Sequence, residues 1–201
     1  MKKHVRTKSV VTTLLMLLLC SSSVLGQKTK PKDVADVSEV ADASPAAWKE
    51  FSSTAGGFAI QFPGSPKQST QPAGQFTLNL IQLTSAFEYS VMYADYPEWA
   101  NDSDPALAKK ILDSGLEGAV AEVQSKLLEV KEVSIGNHPG RQYVERMPSG
   151  QILRGKTFLV GHRLYQLAIT TPQEDGAVPD AVKFYQTAAA KFLDSFRLLR
   201  P

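Results

Sequence analysis

The chain has one cysteine in 201 residues, Cys20, and it falls within a stretch that reads as a removable leader. Without it the remainder forms no disulfide, holds no thiolate zinc and performs no thiol catalysis, so stability must come from an ordinary packed core. Long apolar runs are missing too. The clearest, residues 10–19, is about half of the roughly 20 residues that a membrane-spanning helix needs. Basic charge is scarcer than the totals show. Of 22 Lys and Arg against 20 Asp and Glu, four basic residues (Lys2, Lys3, Arg6 and Lys8) precede the apolar run, leaving 18 against 20 and a net charge of −2. No basic stripe remains to neutralise phosphates, which sets nucleic-acid binding aside.

Catalytic signatures are absent as well. There is no Gly-x-Ser-x-Gly elbow, and the serines are scattered without an adjacent base. Outside the leader two histidines remain, His138 and His162, both in Gly/Pro turns with no Cys, His or carboxylate at ligand spacing. Turn polarity accounts for them. Residues 95–104, DYPEWANDSD, hold four carboxylates but lack the Asp-x-Asp-x-Asp-Gly order and the distant bidentate Glu of a calcium loop. Gly115-Leu116-Glu117-Gly118 reads as a thin helix face for close packing, not as a phosphate site. The expectation is no metal and no cofactor.

What is present begins with the leader. A positive start, an apolar core and small-residue positions at Val24 and Gly26 match a secretory signal over residues 1–26, cleaved before Gln27. Cys20 invites a lipobox reading, but Leu19 is bulky where that motif wants a small residue. Residues 27–47, QKTKPKDVADVSEVADASPAA, carry no aromatic residue and no sustained apolar face, the composition of a flexible tether. A short amphipathic helix through Val34, Val37 and Val40 is the alternative, but valines three apart drift around a helix. Residues 48–201 then make one domain of about 150 residues, enough for one core. Export implies a periplasmic or extracellular location.

Within that domain period-two patterning dominates. Residues 140–172, GRQYVERMPSGQILRGKTFLVGHRLYQLAITTP, hold three strand-like runs separated by Pro148-Ser149-Gly150 and Gly161-His162, an antiparallel meander with a hairpin at the second turn. Tyr165, Leu167 and Ile169 alternate with Leu164, Gln166, Ala168 and Thr170, one face strongly apolar. Phe58, Ile60 and Phe62 form another strand, stopped by Pro63-Gly64. In residues 75–87, Phe76, Leu78 and Leu80 lie on one face and Ile81, Leu83 and Phe87 on the other, which predicts a bulge or a strand covered on both sides. Residues 88–96 alternate Tyr89, Val91 and Tyr93 against Ser90, Met92 and Ala94, and residues 128–135 read as one more strand.

Two helices punctuate the strands. Asp104-Pro105 is a helix start, and Leu107, Ile111, Leu112, Gly115, Ala119, Val123 and Leu127 make one stripe through about six turns. The last helix starts near Pro179 with Val182, Tyr185, Ala189, Phe192, Leu193 and Phe196 at spacings of three and four, its aromatic half toward the meander. The fold class expected is α+β: a mainly antiparallel sheet sandwiched between helices, an α/β/α arrangement.

The order of FAIQFPGSP, a Tyr-rich strand, one long central helix, the turn NHPGRQY, the pair FLVGHRLYQL and a terminal FLDSFRLL resembles the PsbP-like proteins and their exported bacterial relatives over about residues 48–198. That resemblance implies the same sandwich fold. The family's best-known member is an extrinsic subunit that helps retain ions at the photosynthetic oxygen-evolving centre, and relatives serve as binding or chaperone-like modules. The matching positions are Gly, Pro and aromatic, so no catalytic residue carries over. Arg141, after the turn glycine, is expected to pair locally. The functional expectation is an exported, non-enzymatic binding or assembly module of the cell envelope with a protein partner. The alternative is a small-ligand carrier or an enzyme whose site is dispersed in sequence. Tyr96-Pro97-Glu98-Trp99 is the candidate partner-binding segment: Trp99 either plugs the end of the core or stands exposed as an anchor, and Tyr96 and Trp99 are the aromatic groups that would carry an interface.

Overall fold

A computed structural model describes residues 48–199; the signal segment, Cys20 and the tether at 27–47 lie outside the described residues. The elements are β1 (Lys49–Ser53), β2 (Phe58–Phe62), β3 (Lys67–Ala73), β4 (Phe76–Thr84), β5 (Glu88–Asp95), α1 (Pro105–Glu122), β6 (Lys126–Ile135), β7 (His138–Arg146), β8 (Ile152–Val160), β9 (Arg163–Thr171), α2 (Pro179–Asp194) and β10 (Arg197–Leu198). A seven-stranded antiparallel sheet runs β3-β4-β5-β9-β8-β7-β6, and a three-stranded one runs β1-β2-β10. The fold is α+β, with α1 on one face of the large sheet and α2 with the small sheet on the other.

The meander of β7, β8 and β9 is present, with Gly161 at φ 58° in the hairpin turn, a left-handed conformation that glycine adopts without a Cβ clash. Its last strand joins the N-terminal half of the chain through β5, in unbroken register from Glu88↔Thr170 to Asp95↔Arg163. Alternation along the central strands then sorts the core into two. Tyr89, Val91, Tyr93, Tyr165, Leu167 and Ile169 pack with Phe58, Ile60, Phe62, Phe192 and Phe196 under α2 and the small sheet. Leu78, Leu80, Met92, Ala94, Leu159 and Leu164 pack under Ala108, Ile111 and Leu112 of α1.

The face switch at Leu80-Ile81 is the covered-on-both-sides case. Ile81 joins the first cluster and Leu80 the second, and β4 keeps continuous register with both neighbours. The irregularity in the sheet lies in β6 instead, between Leu127 and Glu129.

Other expectations need correction. α1 starts as predicted, Asp104 Oδ1 accepting from the N–H groups of Ala106 and Leu107 at 2.9 and 3.2 Å, but it ends at Glu122. Gln124 then takes φ 53°, Ser125 N–H donates to the Val120 carbonyl, and Leu127, the supposed end of the stripe, belongs to β6. Phe196 likewise lies beyond α2, stacked on Phe158 at 6.0 Å. β1, β3 and β10 were not anticipated.

Candidate binding site

The segment between β5 and α1 is built by long-range hydrogen bonds. Asp95 accepts from Arg163 Nε and Nη2 at 2.5 and 2.8 Å, which holds its carboxyl below the ordinary carboxylate range. Arg163 also donates to the Ala55 carbonyl and lies 5.3 Å from the centre of the Tyr93 ring, a cation–π contact. Tyr96 N–H donates to the His162 carbonyl at 2.8 Å, Ala100 N–H to Pro97 at 2.8 Å, and Asp102 N–H to Gly161 at 3.1 Å. Asp102 Oδ2 meets His138 Nδ1 at 2.5 Å, tying the loop to the β6–β7 turn. Three of the four carboxylates are therefore committed, to Arg163, to His138 and to the helix cap. Among the described residues no group of three or more His, Cys, Asp or Glu is close enough to hold a metal ion.

The two candidate aromatics part company. Tyr96 is buried, its ring 5.3 Å from Phe76, and burial pushes its hydroxyl up to about 12. Trp99 is 61% exposed. The indole therefore does not plug the core, and Tyr96 offers a partner nothing. The signal for Tyr96 was available. Met92, Ala94 and Tyr96 share one cluster, so Tyr96 continues the alternation of β5 onto the α1 face.

A second feature lies where the sheet outruns its cover. α1 crosses β7 and β8, leaving β6 uncovered, and between them is a groove of about 490 Å³ lined by Leu116, Val120, Leu127 and Val130. Its polar end holds Arg141, only 5% exposed, which donates from Nε to Asp113 at 2.7 Å and from Nη1 to the Gly140 carbonyl at 2.9 Å. The pairing is thus partly local and partly to α1. Nη2 stands 3.4 Å from Glu132, within ion-pair reach but without a hydrogen bond. Lys109, Lys131 and Arg141 on the walls face Asp113, Glu117 and Glu132, so the charges cancel. A groove of this kind favours neither anions nor cations.

Beneath α1 runs a buried polar row. Gln166 Nε2 donates to Tyr143 Oη at 3.0 Å and Ser125 Oγ to Glu145 at 2.7 Å, and burial raises both the tyrosine hydroxyl and the Glu145 carboxyl above their ordinary values. Tyr143 lies across Gly155, where any Cβ would fall on its ring. Ser125 with a carboxylate is not a nucleophile with a base, since a useful base must take the proton and be held by a third group. His138 is at the other end of β7, seven residues from Glu145 and roughly 23 Å away at about 3.3 Å per residue.

No protein-family model and no curated protein matches the chain. Among solved structures it is similar to the solution structure of cyanobacterial PsbP from Synechocystis, with TM-score 0.49, 13% identity, and 76% of this chain and 93% of that one covered. It is also similar to a Pseudomonas aeruginosa protein of unknown function described as a putative regulator, with TM-score 0.40, 15% identity, and 71% and 91% covered. A third is LpqN of Mycobacterium tuberculosis, described as involved in cell envelope biogenesis, with TM-score 0.36, 15% identity, and 78% and 80% covered. At such identities these likenesses say nothing of function. Among the described residues no helix is long and apolar enough to cross a membrane.

Proposed function

We propose that this chain is an exported, non-enzymatic binding module of the cell envelope that docks a protein partner through Trp99. The observation that carries the reading is an indole 61% exposed on a loop already fixed from several sides. Docking such a group removes a large apolar area from water, and a preformed loop loses little conformational freedom on binding. Tyr96 contributes indirectly, as the buried foot that holds the loop.

The test is purification from the protein's own envelope, wild type beside Trp99→Ala. The variant is expected to melt within a few degrees of wild type and to lose the partner. A much lower melting temperature, or a partner retained unchanged, overturns the anchor role. Native mass spectrometry of the same preparation separates the alternative. A stoichiometric small molecule without a protein partner would support a carrier, with the neutral groove beside α1 as its place.

A further inference from the structure

The two edges of the large sheet are unlike. β3, at one end, reads KQSTQPA, without a large apolar side chain and with Pro72 inside it, the kind of edge that resists further pairing. β6, at the other end, is ten residues long, pairs among the described residues only with β7, and is exposed along most of its length. Six large hydrophobic side chains are noticeably exposed among the described residues, and three of them are here: Leu127 at 37%, Leu128 at 43% and Val130 at 47%. Open backbone groups beside exposed apolar side chains make a surface for strand addition.

The charge order of β6 selects its occupant. A two-fold axis normal to the sheet would pair β6 antiparallel with itself and keep each face common to both copies. Centred on Glu129, Lys131 or Glu132, that pairing sets like charges directly opposite each other, which is unfavourable. Centred on Val133, it brings no opposite charges together. Centred on Val130, it places Glu129 opposite Lys131 twice, extending the Glu129–Lys131 pair already present along the strand into a quartet of alternating sign. On the other face the two Val130 side chains meet, and the grooves beside α1 join across the axis. The bulge between Leu127 and Glu129 confines regular pairing to the few residues around the centre.

We infer that β6 is a self-association surface, through which a second copy of this chain continues the large sheet about an axis at Val130. This is independent of the role of Trp99. The paired stretch is short, so the dimer is weak, with a dissociation constant on the order of micromolar or higher.

Sedimentation velocity of the full purified chain, from micromolar to millimolar concentration, is expected to show a reversible monomer–dimer equilibrium. Glu129→Lys alone and Lys131→Glu alone each place four like charges at the centre and are expected to weaken association at least about tenfold. Mixing the two single variants creates opposite charges at every contact and is expected to give a heterodimer. The double exchange Glu129→Lys with Lys131→Glu restores the homodimer. Since a folding defect does not yield rescue by mixing, these arms separate association from stability. A chain monomeric throughout the series, a dimer insensitive to both single changes, or one dissolved by Trp99→Ala and not by them overturns the inference.

Discussion

Glu145 is a buried carboxyl that, among the described residues, accepts one side-chain hydrogen bond, from Ser125 beside the turn after α1. Burial raises its folded-state value above the unfolded one near 4.3, so the folded protein keeps a proton that the unfolded chain has released. Stability contributed at this position therefore falls as pH rises from about 4 through the raised folded value, and above it the buried charge opposes folding. Glu145→Gln keeps an acceptor for Ser125 and removes the charge. Urea titration is expected to show the variant more stable than wild type at about pH 8, with the advantage shrinking toward about pH 4. A variant less stable than wild type at the higher pH would mean that the ionised form is held by the fold. Single residues were the least legible scale. Tyr96 could have been found by carrying the β5 alternation one step further, whereas Trp99 sits in an aperiodic loop whose course is set by the distant carbonyls of Gly161 and His162.

Elements with a face to bury could be read; elements defined by their neighbours could not. β4, β5, β9 and both helices carry periodic apolar residues because each covers, or is covered by, another layer. β3 carries no such pattern and is a strand because β4 pairs with it from Lys67↔Gln82 to Ala73↔Phe76. β10 is two residues long and exists through its bonds to Ala59 and Phe58 of β2. α2 shows the opposite case, where one side chain of a readable stripe fastens a whole element. Phe192 is fully buried, with ring centres 5.2 Å from both Phe62 and Tyr89, so it joins the helix to the small sheet and the large one together. Phe192→Ala is expected to cost about 3–5 kcal/mol, from lost burial and the cavity left behind, read as a lower urea midpoint. A loss under about 1 kcal/mol would mean that α2 is held mainly by its other contacts.

At the scale of the molecule, the expectation is a cleaved leader, a tether and one domain. The Trp48 ring lies 5.8 Å from Tyr89, edge to face, and Lys191 stands 4.7 Å above it. The chain is therefore tied to the core at Trp48 itself, and β1 follows in register with β2 from Lys49↔Phe62. Intact mass of the exported protein is expected to start at Gln27, since Val24 and Gly26 suit signal peptidase and Leu19 does not suit lipoprotein processing. An acylated Cys20 at the N-terminus would overturn that and make residues 27–47 a membrane leash. Removing the mature chain through Ala43 is expected to leave the urea midpoint within about 0.5 kcal/mol of the intact domain, against the several lost in Phe192→Ala, because the deleted residues have too little apolar surface to offset the entropy of ordering them. If the deletion were the more damaging of the two changes, residues 27–47 would belong to the folded unit, and the boundary at Trp48 would be misplaced.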